Sequence, residues 1–288
     1  MTGGAATPVV ITTDLDRTLI FSRRASVQLG GGLPADPVES SGTRDAAGEL
    51  SRAARDALLA LPGNVMVCVA TSRSLRRLAR LRLPFAATYS IAANGGVVLR
   101  GAEPDPEWAA VIGRLLAAVA PVAQVRAVIA DSATASARPG GAAWLQRFGD
   151  DDEMCCVATI DRRRLDAQLF ADLAGQCGRL GWRVSLTGRK LYAFPAGFAK
   201  EHAAAFLAAR VASEMGAWPL RLAAGDAEHD RQMLAEADQA WVPAGSELAA
   251  SSKPVPGCRV TRHPGHAAAA QIATDWLAIC LGQQRCAC

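Results

Sequence analysis

An excess of charge of one sign is missing from this sequence. Its 288 residues carry 31 basic and 27 acidic side chains, a formal net charge of +4. So even a balance leaves no electrostatic footprint for nucleic acid or for an anionic membrane surface. Long apolar runs are missing as well. No stretch reaches the roughly eighteen residues that a membrane span needs, so none is expected. The opening Met1-Thr2-Gly3-Gly4-Ala5-Ala6-Thr7-Pro8 has neither a basic nor an apolar segment of the kind a signal peptide carries. Among eight cysteines there is no C-x-x-C pair. Most of them lie in apolar runs and read as small core residues. The terminal Cys286-Ala287-Cys288, with Cys280 nearby, reads either as a soft-metal site or as a frayed, reducible tail. Reduced thiols and a cytoplasmic protein are the expectation. Aromatic residues make up 5% of the chain, and no internal repeat is present.

What is there is an apolar, alanine-rich chain, 50% hydrophobic and long enough for one large α/β domain with an insertion. Alanine favours helices with thin, closely packed faces. The informative stretch is Val9-Val10-Ile11-Thr12-Thr13-Asp14-Leu15-Asp16-Arg17-Thr18-Leu19-Ile20. Its β-branched start reads as a buried central strand. Asp14 and Asp16 then fall just past the strand's carboxyl end, where open α/β sheets place their ligands. Carboxylates this close repel each other, and a cation or a proton must relieve them. A hard divalent cation suits oxygen ligands.

Downstream, residues 22–48 are polar and glycine-rich, a lid edge or a disordered stretch, with a short strand at Val38-Glu39. The spacing of Leu50, Ala54, Leu58 and Leu61 predicts a helix ending at Pro62-Gly63. Val65–Ala70 predicts a second buried strand, ending in Thr71-Ser72-Arg73. This βαβ order implies a parallel sheet and brings Thr71 to the same edge as Asp14. Thr71 suits either a phosphate oxygen or an ordinary helix N-cap. Ser90–Ala93 predicts a third strand, closed by Asn94-Gly95-Gly96, where Asn94 either touches a ligand or only forms the turn. From 97 to 194 the pattern changes to strands and helices with a loop-rich middle (132–152), a small α+β unit inserted in the first domain. Lys200 opens an alanine-rich helix, where a cation opposes the helix dipole, which is mild support for a facing anion. Leu220–Ala224 predicts a strand that runs into Gly225-Asp226-Ala227-Glu228-His229-Asp230. Two short strands, around Trp241 and Val260, and a closing helix (265–281) complete the chain.

Asp14-Leu15-Asp16-Arg17-Thr18-Leu19 resembles the D-x-D-x-T motif that opens the haloacid dehalogenase (HAD) superfamily of phosphohydrolases. Thr71, Lys200 and Gly225-Asp226-x-x-His229-Asp230 then follow in the order of that family's later motifs, and the insertion falls where the family places its cap. The Ala93-Asn94-Gly95 segment and the Gly188-Arg189-Lys190-Leu191-Tyr192 ending resemble the Cof-type, sucrose-phosphate-phosphatase-like branch. Two positions depart from the pattern: Arg17 where glycine is commoner, and His229 in place of asparagine.

The resemblance implies a Rossmann-like three-layer α/β core with a parallel sheet (1–96 and 195–288) and an α+β cap (97–194). It implies a Mg²⁺-dependent phosphatase of a small phosphorylated metabolite, acting through an aspartyl-phosphate. Asp14 would be the nucleophile and Asp16 the acid–base group. Mg²⁺ would bind Asp14, Asp226 and the Asp16 carbonyl. Leu15, Thr71, Ser72 and Lys200 would hold the phosphoryl group, supported by Thr18, Asn94, Gly225 and Asp230. Trp144, Arg147, Arg189 and Lys190 are candidate leaving-group contacts in the cap, or else solvated charges and a partly buried Trp. His229 is either a base or a stand-in for asparagine. A phosphomutase and a non-catalytic phospholigand-binding protein remain as alternatives.

Overall fold

The computed structural model describes residues 7–29, 37–40, 48–136, 143–149 and 154–286. The chain begins with β1 (Val9–Thr13), α1 (Arg23–Gln28) and an antiparallel pair, β2 (Pro37–Ser40) and β3 (Gly48–Ser51). Next come α2 (Arg52–Leu59), β4 (Val65–Ala70), α3 (Leu75–Leu78) and β5 (Tyr89–Ala92). A tight turn leads to β6 (Val97–Arg100), β7 (Glu103–Pro104) and α4 (Pro106–Ala117). The middle of the chain forms α5 (Val122–Ala135), β8 (Leu145–Phe148), β9 (Cys156–Ile160), α6 (Ala167–Arg179), β10 (Trp182–Thr187) and β11 (Lys190–Pro195). The last part forms α7 (Lys200–Met215), β12 (Leu220–Ala224), α8 (Arg231–Ala235), β13 (Gln239–Ala244), β14 (Cys258–Pro264) and α9 (His266–Cys286).

One sheet has the strand order β14-β13-β12-β1-β4-β5-β6-β7. Its first six strands are parallel, and β6 and β7 add an antiparallel edge. Side chains alternate across it, as strand geometry requires. Val9, Ile11, Val67 and Val69 face a core shared with α2 and α9, where Ala54, Leu58, Ile272 and Trp276 are buried. Val10, Cys68 and Ala70 face the opposite core, built from Trp108 and Ile112 of α4 and Ala203, Leu207 and Val211 of α7. The result is a three-layer α/β sandwich.

A second, antiparallel sheet has the order β10-β11-β9-β8. One of its faces packs on α5 and α6 through Val125, Ile129, Leu173 and Cys177. Its other face carries Val157, Thr159, Lys190 and Tyr192 and looks onto the cavity at the end of β1.

Several expectations shift. Residues 97–104 belong to the large sheet, since β6 pairs with β5 and α4 covers that sheet, so the range 97–194 is divided between the two sheets. Leu50 lies in β3 opposite Val38, and Ser51 caps α2 by accepting from the Ala54 amide, so the helix starts later than its apolar spacing indicates. Helix α5 runs into the start of the supposedly loop-rich middle, as far as Ala135, and strand β8 lies within it. Helix α1 forms within the polar segment, capped by Ser22. The rest of that segment, apart from β2 and β3, lies outside the described residues, as does Cys288. No single helix among the described residues is long and apolar enough to cross a membrane.

Candidate active site

Strand pairing brings the acids together. Thr13 sits beside Ala224 at the carboxyl ends of β1 and β12, and the Asp14 amide donates to the Ala224 carbonyl at 2.9 Å. Asp14 and Asp226 therefore leave adjacent strand ends. After Asp16 the chain turns sharply: Arg17 has φ +69°, and the amides of Leu19 and Ile20 both donate to the Leu15 carbonyl. A left-handed backbone favours glycine, which accounts for glycine being commoner at the Arg17 position of the motif it resembles.

Lys200, the first residue of α7, is fully buried. Its ammonium donates to Asp14 Oδ1 at 2.6 Å and to Asp230 Oδ1 at 2.7 Å. The other Asp230 oxygen accepts from the amides of Asp226 and Ala227, both at 3.1 Å. Both Asp230 oxygens are thus engaged. Burial raises its pKa, but Lys200 and the amides outweigh burial and leave it below the ordinary carboxylate value. Burial alone would lower the Lys200 pKa, yet the two carboxylates pull it up. Asp14 behaves differently. Burial, with Asp230 and Asp16 adding to it, overrides Lys200 and pushes its pKa up to about 7. Asp14 Oδ2 is buried without a hydrogen-bond partner. Asp226 is likewise raised well above the usual value, by burial and then by Asp14 and Asp230.

Asp16 is held by another group. Arg73 donates to both of its oxygens, each at 2.7 Å. The Asp16 side chain keeps 51% of its surface open, but it opens onto the cavity. Burial raises its pKa and Arg73 more than reverses that, so Asp16 titrates below its ordinary value. Thr71 Oγ1 accepts the Arg73 amide at 3.1 Å, while Ser74 rather than Thr71 caps α3. Ser72 Oγ and Thr18 Oγ1 are buried and lack partners. His229 Nε2 lies 3.9 Å from Asp230 Oδ2, and burial pushes its pKa down to about 4. One ligand atom each from Asp14, His229 and Asp230 lie within 4.8 Å of one another.

These groups form the floor of a cavity of about 550 Å³. The open face of the second sheet forms its roof. A sucrose-phosphatase from Synechocystis, solved with sucrose and phosphate, matches this structure with a TM-score of 0.60 at 15% identity, over 94% of this chain and 98% of that one. A phosphatase of the haloalkanoate (HAD) enzyme superfamily from Bacteroides thetaiotaomicron matches with a TM-score of 0.56 at 15% identity, over 97% and 96%.

This is the haloacid dehalogenase fold. A trehalose-6-phosphate phosphatase related protein shares it, with a TM-score of 0.54, 14% identity and coverage of 96% and 99%. By sequence, the chain matches no family model and no curated protein.

Within the haloacid dehalogenase fold, Asp14, Asp16, Thr71, Ser72 and Asp226 line the cavity floor, and Lys200, Asp230 and Gly225 sit directly behind them. Leu15 is fully buried in the core, so only its backbone is available to a ligand. Asn94 lies away from the cavity, in a left-handed turn, with its amide nitrogen donating to the Phe198 carbonyl at 3.4 Å. The same carbonyl accepts from Arg183 of β10. Arg147, Arg189 and Lys190 do line the roof. Trp144 does not; it is buried in the core of the smaller unit. Sequence reasoning missed Arg73 as the partner of Asp16, Tyr192 on the roof and the whole of α1. The signals were present: an arginine two residues after Thr71, an alternating Lys190–Tyr192 face, and Ser22 placed to cap a helix.

Proposed function

We propose that this chain is a phosphatase of a small phosphomonoester, a sugar phosphate or a similar metabolite, acting with Mg²⁺ through an aspartyl-phosphate. The observation that carries the reading is the buried Asp14–Lys200–Asp230 bridge beside Asp226, which leaves one Asp14 oxygen without a partner. A structural salt bridge does not need an orphaned oxygen or a second acid at its side.

The residues fit a hard divalent cation. Burial raises the pKa of both Asp14 and Asp226, Asp14 raises that of Asp226 further, and a cation beside them would remove that penalty. Asp14, Asp226 and the Asp16 carbonyl would hold it. Asp230 is less suited, because both of its oxygens already accept hydrogen bonds. When bound, the ion supplies positive charge that lets an anion approach a phosphoryl dianion.

Asp14 then attacks phosphorus, forming an acyl phosphate as the ester P–O bond breaks. Asp16 passes a proton to the departing oxygen and later takes one from the water that hydrolyses the acyl phosphate, help typically worth ~100- to 10,000-fold. The bidentate grip of Arg73 keeps Asp16 ionised, so substrate entry must loosen that grip before Asp16 can carry a proton. The hydroxyls of Thr71 and Ser72 and the Leu15 amide bind phosphoryl oxygens, and Lys200 offsets their charge. Asp230 positions Lys200. The smaller unit acts as a cap that selects the leaving group.

Asp14→Asn keeps the shape of the site and removes the nucleophile. It is expected to abolish Mg²⁺-dependent release of inorganic phosphate from an aryl phosphate while circular dichroism and melting remain native-like. Full activity in this variant would remove Asp14 from the reaction.

A further inference from the structure

The chemistry of the cavity's upper part differs from that of its floor. Among the described residues its carboxylates are Asp14, Asp16 and Asp226, all on the floor. The walls and roof carry Arg17, Arg24, Arg77, Arg147, Arg189 and Lys190. Arg24 and Arg147 form no ion pair among the described residues. Arg189 spends one donor on Gln146 at 2.8 Å, and Arg17 spends one on Gln28 at 3.1 Å, both neutral acceptors.

These cations are more than a phosphoryl group needs. Lys200, with a divalent ion that Asp14 and Asp226 would hold, would answer a phosphoryl dianion on the floor. A neutral polyhydroxylated leaving group presents hydroxyl donors that need acceptors, and among the described residues the walls and roof offer amides and hydroxyls but no carboxylate. Guanidinium groups have no acceptor at all. They match planar or tetrahedral oxyanions, to which each can donate twice. The volume of about 550 Å³ leaves room for a leaving group well beyond the phosphoryl group itself.

Resting on the phosphatase reading above, we infer that the substrate is doubly acidic: a phosphomonoester whose leaving group carries a second oxyanion, a carboxylate or another phosphate. The floor takes the phosphoryl group that is cleaved. Arg147 and Arg189 from the roof, with Arg24 and Arg77 from the walls, receive the second anion.

The test uses the full chain with Mg²⁺ and a matched set of aryl phosphates. These are phenyl phosphate carrying a para-carboxamide, a para-carboxylate or a para-phosphate. The carboxamide is nearly isosteric with the carboxylate and lacks its charge. The inference expects kcat/KM for at least one acidic ester to exceed that for the carboxamide by roughly ten- to a hundredfold. The carboxylate and phosphate arms identify which oxyanion is preferred. In Arg147→Gln/Arg189→Gln the acidic-to-neutral ratio is expected to fall to within about threefold of unity, with most of the change in KM. Both positions are exposed, so folding should tolerate the change. Equal or better turnover of the carboxamide by the wild-type chain overturns the inference, as does an acidic preference that survives the double variant. If no ester is hydrolysed, the phosphatase reading fails by itself. Calorimetric binding of the carboxylate against the carboxamide ester to the wild-type chain then still decides the anion site, and equal affinity for the two rejects it.

Discussion

Arg73 is the residue whose role the sequence conceals best. Asp16 and Arg73 lie far apart in the chain, and only the pairing of β1 with β4 makes them neighbours. Asp14 and Asp16 were legible because acids crowded at a strand end demand a compensating cation wherever they occur, whereas Asp226 came from the resemblance of Gly225-Asp226 and Asp230 to a family motif. Lys200 was legible mainly from the motif it resembles and only weakly as a cation at the unfavourable end of a helix; its burial between two carboxylates explains why that placement is tolerated. Arg73 carried only its place two residues after Thr71, which does not by itself point to Asp16. Its effect on Asp16 can be measured directly. Arg73→Gln removes the charge that holds the carboxyl below its ordinary value, so the Asp16 pKa should rise. A carbon-detected NMR titration, with Asp16 assigned by its loss in Asp16→Asn, reads the change. An unmoved or lower pKa would show that Arg73 does not govern this group.

Between elements, the loop after β12 is fitted against the start of α7 with no spare room. A methyl group at Gly225 would lie 2.5 Å from Asp230 Cβ and 2.7 Å from its Cγ. Asp230 cannot yield freely, because two backbone amides and Lys200 hold it. Gly225→Ala is therefore expected to displace the Asp230–Lys200 pair and lower kcat about a hundredfold, the usual consequence of misplacing a catalytic group by about an ångström. Gly63→Ala, where a methyl group meets nothing within 4 Å, should leave kcat unchanged. Equal effects of the two would deny Gly225 a positioning role. Element types were readable where periodicity was strong, as in β1, β4, α7 and α9. Helix α5 escaped because small and apolar residues are spread around it with little contrast between its faces, and only Val125, Ile129 and Ala133 are buried. The start of α2 escaped because Leu50 fits a helical spacing while pairing as a strand. Where the large sheet ends could not be read at all, since β6 and β7 look the same whichever sheet they join.

For the molecule as a whole, the acid cluster links stability to pH. Without metal, Asp14 keeps its proton up to about pH 7 in the folded chain but loses it near the ordinary carboxylate value when unfolded. The folded state binds more protons across that interval, so stability falls as pH rises through it. His229 acts the other way. Its pKa drops from 6.5 to about 4 on folding, so it adds stability as pH rises between those values. His266, whose pKa burial also lowers, acts the same way; both contributions fade within about one unit above 6.5, where the two raised acids, Asp14 and Asp226, outweigh them. In EDTA, Tm is expected to fall between pH 6.5 and about pH 8. Excess Mg²⁺ should remove the decline, and Asp14→Asn should flatten it. A Tm that climbs over the same range in EDTA would contradict the raised Asp14 pKa. At this scale too, the carbonyl of Phe198 is clasped from both sides, by Asn94 below and by Arg183 above. Lys200 begins its helix only two residues further on. Any displacement of β10 would therefore reach, through that single carbonyl, the short length of backbone from which the Lys200 helix departs.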